Sequence, residues 1–161
     1  MRAKAEENPC SIEIKAGKNN SRYAVAFLEH SASYVDIKPT FEHLGANVQR
    51  YHLKSFDYWI GGFHINDRFH GWNKSQHKGK YARCFVFKNV SEGERLYGFL
   101  CKPKGEDQNY EMCVLVLYAQ KKRWNTDTAE LDRAELMRNN PDVQAALKDP
   151  NLFTKGVGKK K

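Results

Sequence analysis

The sequence predicts an α+β fold with a mainly antiparallel sheet, and three observations carry that expectation. Three short β-rich runs, YARCFVFKNV, RLYGFLCKP and YEMCVLVLYAQ, follow one another in the second half of the chain. The linkers SEGE and KGEDQN between them are turn chemistry, far shorter than the crossover of about a dozen residues that parallel pairing needs. Apolar residues at helical spacing flank these runs, at Phe41, Leu44, Val48 and Tyr51 before them and at Leu131, Ala134 and Met137 after them. The expected architecture is a three-strand C-terminal meander plus one or more N-terminal strands, packed against helices.

Taken in order, SIEIK (11–15) is a short polar edge strand, and AGKNNSR after it is turn-like. YAVAFLEHSASYVDI fits a buried strand in its first half, while its alanines also permit a helix, so both readings stand. Thr40 after Pro39 is the expected N-cap of a helix carrying the Phe41 to Tyr51 stripe. SFDYWIGGF reads as a short helix that Gly61 and Gly62 terminate in a left-handed conformation. Beyond the three strands, Asp127 with Glu130 resembles a capping box for a helix ending at Asn139. Asn140 and Pro141 then start a second helix with Val143, Ala146 and Leu147 on its buried side.

A chain of 161 residues suits one domain, expected over 1–153, with TKGVGKKK at 154–161 a flexible basic tail. The formal charge of +8 and pI near 9.3 favour an anionic partner, with nucleic acid first. Four cysteines, Cys10, Cys84, Cys101 and Cys113, lack CxxC spacing, and three lie in apolar runs, which points to a reducing compartment. With no apolar leader and no segment of roughly 18 apolar residues, the expectation is a cytoplasmic protein without a membrane partner.

The densest chemistry lies in HINDRFHGWNKSQHKGKYAR, residues 64–83. His64, His70 and His77 are spaced six and seven apart, unlike zinc motifs, so neither metal nor other cofactor is expected. Arg68, Lys74, Lys78 and Lys80 interleaved with Trp72 and Tyr81 suit single-stranded RNA or DNA, since cations engage phosphates while rings stack on unpaired bases. For any single residue, a solvated loop over packed aromatics is the simpler account. Cleavage by the 2′-OH needs a proton acceptor, a proton donor and cations for the phosphorane, roles that His, Arg and Lys can fill. Strand alternation puts Tyr81, Arg83, Phe85 and Phe87 on one face, and Arg95, Tyr97, Phe99 and Cys101 on one face of the next strand. The two arginines at strand ends suit a phosphate, and equally suit side chains reaching solvent. Lys121, Lys122 and Arg123 with Trp124 form a second cationic cluster at the exit of the strongest strand.

The segment CVLVLYAQKKRWNTDTAELDRAELMRN, with YARCFVF and RLYGFL before it, resembles the RelE and HigB superfamily of bacterial toxins. The shared pattern is an apolar strand, a Lys-Lys pair, a Thr-containing cap and a helix carrying ELDRA, and the resemblance runs over roughly residues 40–140. It implies a small basic fold in which helices precede the sheet, an endoribonuclease that cuts messenger RNA on the ribosome, and an antitoxin protein as partner. It assigns Lys74, Lys78, Lys80 and Arg83 to the family's basic positions before and within the first strand, and Arg95 to the next. About 1–39 is then an N-terminal extension. Family members often carry a His or Tyr near the chain end; here that end is LFTKGVGKKK, which leaves proton transfer to His70 and His77. The leading expectation is a toxin-like endoribonuclease with His70, His77, Arg83 and Arg95 as catalytic groups. The alternatives are a non-catalytic RNA-binding or regulatory module using the same basic aromatic face, and a protein-interaction domain with a basic surface.

Overall fold

The computed structural model describes residues 10–17, 22–120 and 128–153, and within them a six-stranded sheet lies between two layers of helix. The elements run β1 (Cys10–Ala16), β2 (Tyr23–His30), α1 (Ile37–Glu42), α2 (Ala46–Ile60), β3 (Phe69–Gly71), β4 (Cys84–Asn89), β5 (Glu94–Cys101), β6 (Glu111–Gln120), α3 (Thr128–Arg138) and α4 (Pro141–Lys148). The spatial order is β1-β2-β6-β5-β4-β3, with every neighbouring pair antiparallel except β2 and β6. The class is therefore α+β with a mixed, mostly antiparallel sheet. Residues 10–30, which the resemblance assigns to an extension, supply two strands of that sheet, and β1 forms one of its edges.

Why β2 is a strand follows from its burial. Ala24, Ala26 and Leu28 face the layer holding Leu131, Ala134 and Met137, whereas Val25 and Phe27 face the layer holding Phe41 and Phe56. A parallel central strand buried on both faces reads as a near-continuous apolar run, which is the pattern that left helix and strand unresolved in the sequence. The alanines lie in the core beneath the α3–α4 layer; Phe27 meets Phe41 and Phe56 edge-on across the other face.

The single helix expected from Thr40 through Tyr51 is instead two. Thr40 lies inside α1, and the chain breaks at His43–Gly45 before α2 begins. Gly45, at φ −62° and ψ 156°, is extended and takes the N-cap position of α2. The run read as a separate short helix is the last turns of α2, which ends with Gly61 in a right-handed conformation and Gly62 at φ 89°. The local caps of the C-terminal part behave as expected: Asn140 Oδ1 accepts from the backbone N–H of Asp142 and Val143 at 2.8 and 3.2 Å. Asp127 lies outside the described residues.

One irregularity controls the register of β6. Pairing with β5 slips between Tyr97 and Gly98, whose partners are Leu117 and Leu115, so Val116 is an extra residue on the β6 side. The bulge turns Tyr118 toward the α1–α2 layer. There its hydroxyl donates to Glu94 Oε2 at 3.2 Å, while His52 Nε2–H and Asn89 Nδ2 donate to Oε1 at 3.2 and 3.3 Å. Glu94, Asn89 and His52 are all buried. Glycine is required opposite the bulge, because a Cβ at position 98 would stand 2.1 Å from the Val114 carbonyl oxygen and 2.7 Å from Leu115 Cα. Both are backbone atoms, so no side chain can rotate away. Gly98→Ala is expected to destabilise the fold by roughly 2–3 kcal/mol through overpacking. Urea unfolding checks this, and a loss below about 0.5 kcal/mol, the range of an ordinary surface substitution, would show that the close approach is not constraining.

Candidate functional site

Strand β3 is three residues long, yet its pairing determines where the chemistry gathers. Phe69 pairs with Phe87 and joins the α1–α2 layer; His70 pairs with Val86 and faces the α3–α4 side. Lys88, two residues beyond Val86, shares that face and is the direct cross-strand partner of Arg95. Like charges directly opposite one another destabilise a sheet, so this pair is costly unless an anion sits over it.

The three groups sense one another. Burial pushes the His70 imidazole below its ordinary 6.5; its hydrogen bond to the Gly71 carbonyl opposes that, and the Lys88 and Arg95 charges add to it. Burial and then Arg95 also lower Lys88, against a smaller pull from Asp67. His70 Nδ1 lies 3.0 Å from the Gly71 carbonyl oxygen, which can only accept, so Nδ1 carries the hydrogen and Nε2 is left with a lone pair. Arg95 Nη1 is buried and has no hydrogen-bond partner among the described residues. A buried guanidinium N–H without an acceptor is expensive, and an anion would satisfy it.

The remaining predicted residues fall elsewhere. Arg83 and Arg95 do not form one phosphate clamp: Arg83 precedes β4 opposite Leu100, while Arg95 opposes Lys88 at the other end of the pair. Five residue steps along the strand separate them, about 17 Å at roughly 3.4 Å per step. Arg83 lies 3.8 Å from Glu111. Tyr81 departs from the face of Phe85 and Phe87; it precedes the strand, is buried on the α3 side, and donates to Asp132 Oδ1 at 2.5 Å. Lys80 lies 3.1 Å from the same carboxylate. Arg68 is turned inward, donating to Ser55 Oγ at 2.7 Å and stacking 4.0 Å above the Tyr51 ring.

His77 is exposed and packs edge-on against Tyr81 at 5.2 Å, away from β3. His77 and Lys78 both adopt left-handed backbone, at φ 50° and 58°, and Lys74 and Lys78 are exposed in the same loop. Trp72 lies against His70 with ring centroids 4.9 Å apart. Lys121, Lys122 and Arg123 fall outside the described residues. Lys88 was missed by the sequence reading, although its signal was present: it is the charged residue in phase with Cys84 and Val86 in CFVFKN.

Two concavities flank the beginning of β4. One, about 570 Å³, is an aromatic chamber at the β3 edge between Tyr23, Trp59, Phe63, Phe85, His70 and Trp72. The other, about 310 Å³, is lined by Arg83, Lys102, Arg138 and Lys148, with Glu106 as a carboxylate among them. Among the described residues no group of His, Cys, Asp and Glu is placed to hold a metal ion, and no helix is long and apolar enough to cross a membrane. Comparison with family models, with curated proteins and with solved structures gave no match.

A pH dependence follows from the two depressed histidines. His52 is held below 6.5 chiefly by burial, partly offset by its bond to Glu94, and His70 is lowered as described. In each case the unfolded chain binds a proton more readily than the folded one. Stability is thus full above 6.5 and declines as pH falls through 6.5 toward the folded values. Urea midpoints between pH 8 and 5 should fall on acidification, and His70→Gln should flatten part of that fall. A midpoint constant across this range would show that neither imidazole is depressed.

Proposed function

We propose that the protein is a toxin-like endoribonuclease acting on single-stranded RNA at the His70–Lys88–Arg95 face. The observation that carries the reading is the unneutralised Lys88–Arg95 pair, with the buried Arg95 Nη1 lacking an acceptor and a neutral imidazole beside it. In this reading a phosphate occupies the space over the two cations. His70 Nε2 removes the 2′-OH proton, and the freed oxygen attacks phosphorus. Arg95 stabilises the phosphorane charge, the P–O5′ bond breaks, and the departing oxygen takes a proton from Lys88, whose lowered pKa eases the transfer. The products are a 2′,3′-cyclic phosphate and a 5′-hydroxyl.

The order of helices α1 and α2 before strands β4 to β6, together with the basic strand positions, also supports kinship with the RelE and HigB toxins. On that reading the substrate is messenger RNA on the ribosome and the partner is an antitoxin. The catalytic set differs from the sequence expectation in placing Lys88 where Arg83 and His77 were expected.

The test is cleavage of messenger RNA with and without ribosomes. His70→Ala should lower turnover by roughly 10²- to 10⁴-fold, and Arg95→Ala by roughly 10²- to 10³-fold with binding less affected. The acidic limb of the rate profile should lie below pH 6.5, because the base is neutral down to its depressed pKa. A parent protein that cleaves nothing in either assay would leave the RNA-binding module as the better account.

RNA affinity should in either case fall steeply with salt, since bound cations release condensed counterions. Filter binding over a salt series measures this, and a flat response would favour the interaction domain.

A further inference from the structure

The aromatic chamber, on the α1–α2 side of the sheet, and the cationic cleft, on the α3–α4 side, meet round the end of the sheet where β4 begins. Leu100 lines both, and Ala82 of the chamber precedes Arg83 of the cleft directly in the chain. We infer that the two form one bipartite groove for single-stranded RNA, in which the chamber takes an unpaired base and the cleft takes a backbone phosphate next to it. This inference rests on the RNA-cleaving reading, because His70 lines the chamber and so sets the seated base beside the bond to be cut.

The chamber suits a flat π-system. Tyr23 and Trp59 stand 4.9 Å apart between ring centroids, and Trp59 and Phe85 5.4 Å, so the rings are held by mutual packing before anything binds. Phe63 at the rim meets Tyr58 edge-on at 5.8 Å and is still 58% exposed, which leaves ring surface free to stack on a base. Asn66 and Asn73 also line the chamber, and their amides can meet the polar edge of a base. A paired base presents neither of its faces nor its Watson–Crick edge, which excludes a duplex.

The cleft supplies the complementary charge. Arg138 is hydrogen-bonded to Glu135 at 2.8 Å, which holds its guanidinium in position, whereas Arg83 makes only a loose ion pair with Glu111 at 3.8 Å and stays free to turn toward an anion. Lys102 and Lys148 have no carboxylate partner in the ion pairs of the described residues, so they carry the cleft's surplus charge. Glu106 is a carboxylate in the lining and opposes the anion there.

The test uses the full chain and a six-nucleotide single-stranded RNA carrying 2-aminopurine, with 2′-O-methyl groups to block cleavage. The parent should quench the fluorophore on binding. Phe63→Ala should weaken binding roughly 5- to 100-fold and reduce the quench, as loss of one stacked base does, and Phe63→Trp should restore both. The pair Lys102→Gln and Lys148→Gln should keep the quench but lower the slope of log affinity against log salt by roughly 1.4, the share of two phosphate contacts on a single strand. Thermal melts establish that each variant is folded.

The groove is overturned if neither variant set changes affinity, if a duplex of the same sequence binds as tightly, or if a lone nucleotide binds as tightly as the hexamer. Its failure is separable from that of the nuclease reading. A parent that quenches and discriminates as described but never cleaves unmodified RNA removes the nuclease alone. His70-dependent cleavage that survives both variant sets unchanged removes the groove alone.

Discussion

Everything in this fold hangs on the parallel pairing of β2 with β6, Tyr23 to Phe27 against Glu111 to Leu115. A parallel neighbour cannot be reached by a tight turn, so the chain between the two strands must travel around the sheet. That journey places α1 and α2 on one face and lays β3, β4 and β5 out on the far side of β6 before the chain returns. The hairpin-linked strands could form locally, but β2 gives them a buried centre and puts the aromatic layer of Phe27, Phe41, Phe56 and Phe87 under them.

What was legible in the sequence was local. The strands over 84–120 declared themselves through β-branched and aromatic runs between turn residues, and the start of α4 through Asn140 and Pro141, because each signal acts within a few residues. The β2–β6 pairing was not legible, since nothing in either run specifies a partner some ninety residues away. Strand β3 escaped for the opposite reason. Three residues carry no period, and only the pairing with β4 turns HINDRFHGW from a loop into an edge. Gly98 did leave a mark, a lone glycine inside an apolar strand, and such glycines often signal a bulge or a close backbone approach.

The candidate site was half legible for the same physical reason. Composition marked residues 68–83 as chemically dense, and His70 and Trp72 do lie together. Which cations join them depends on strand register. Alternation grouped Phe85 with Phe87 as the structure does, but it wrongly carried Tyr81 along with them, because Tyr81 stands before β4 rather than within it. The same alternation already has Lys88 in phase with Val86, and it is the β4–β5 register that sets it opposite Arg95. The basic pair thus became visible only once that register was known.

The loop holding His77 and Lys78 has a consequence for how it would meet a ligand. Left-handed backbone costs an ordinary residue roughly 1–2 kcal/mol relative to its relaxed form, and glycine almost nothing. Here two such residues stand in succession, followed by Gly79 at φ 80°, and both are exposed, so no burial offsets the strain. The segment is therefore a twisted finger that stores strain at the surface. A partner that let the two residues relax would gain the released strain as binding energy, whereas one that needed the twisted form would have to leave it in place.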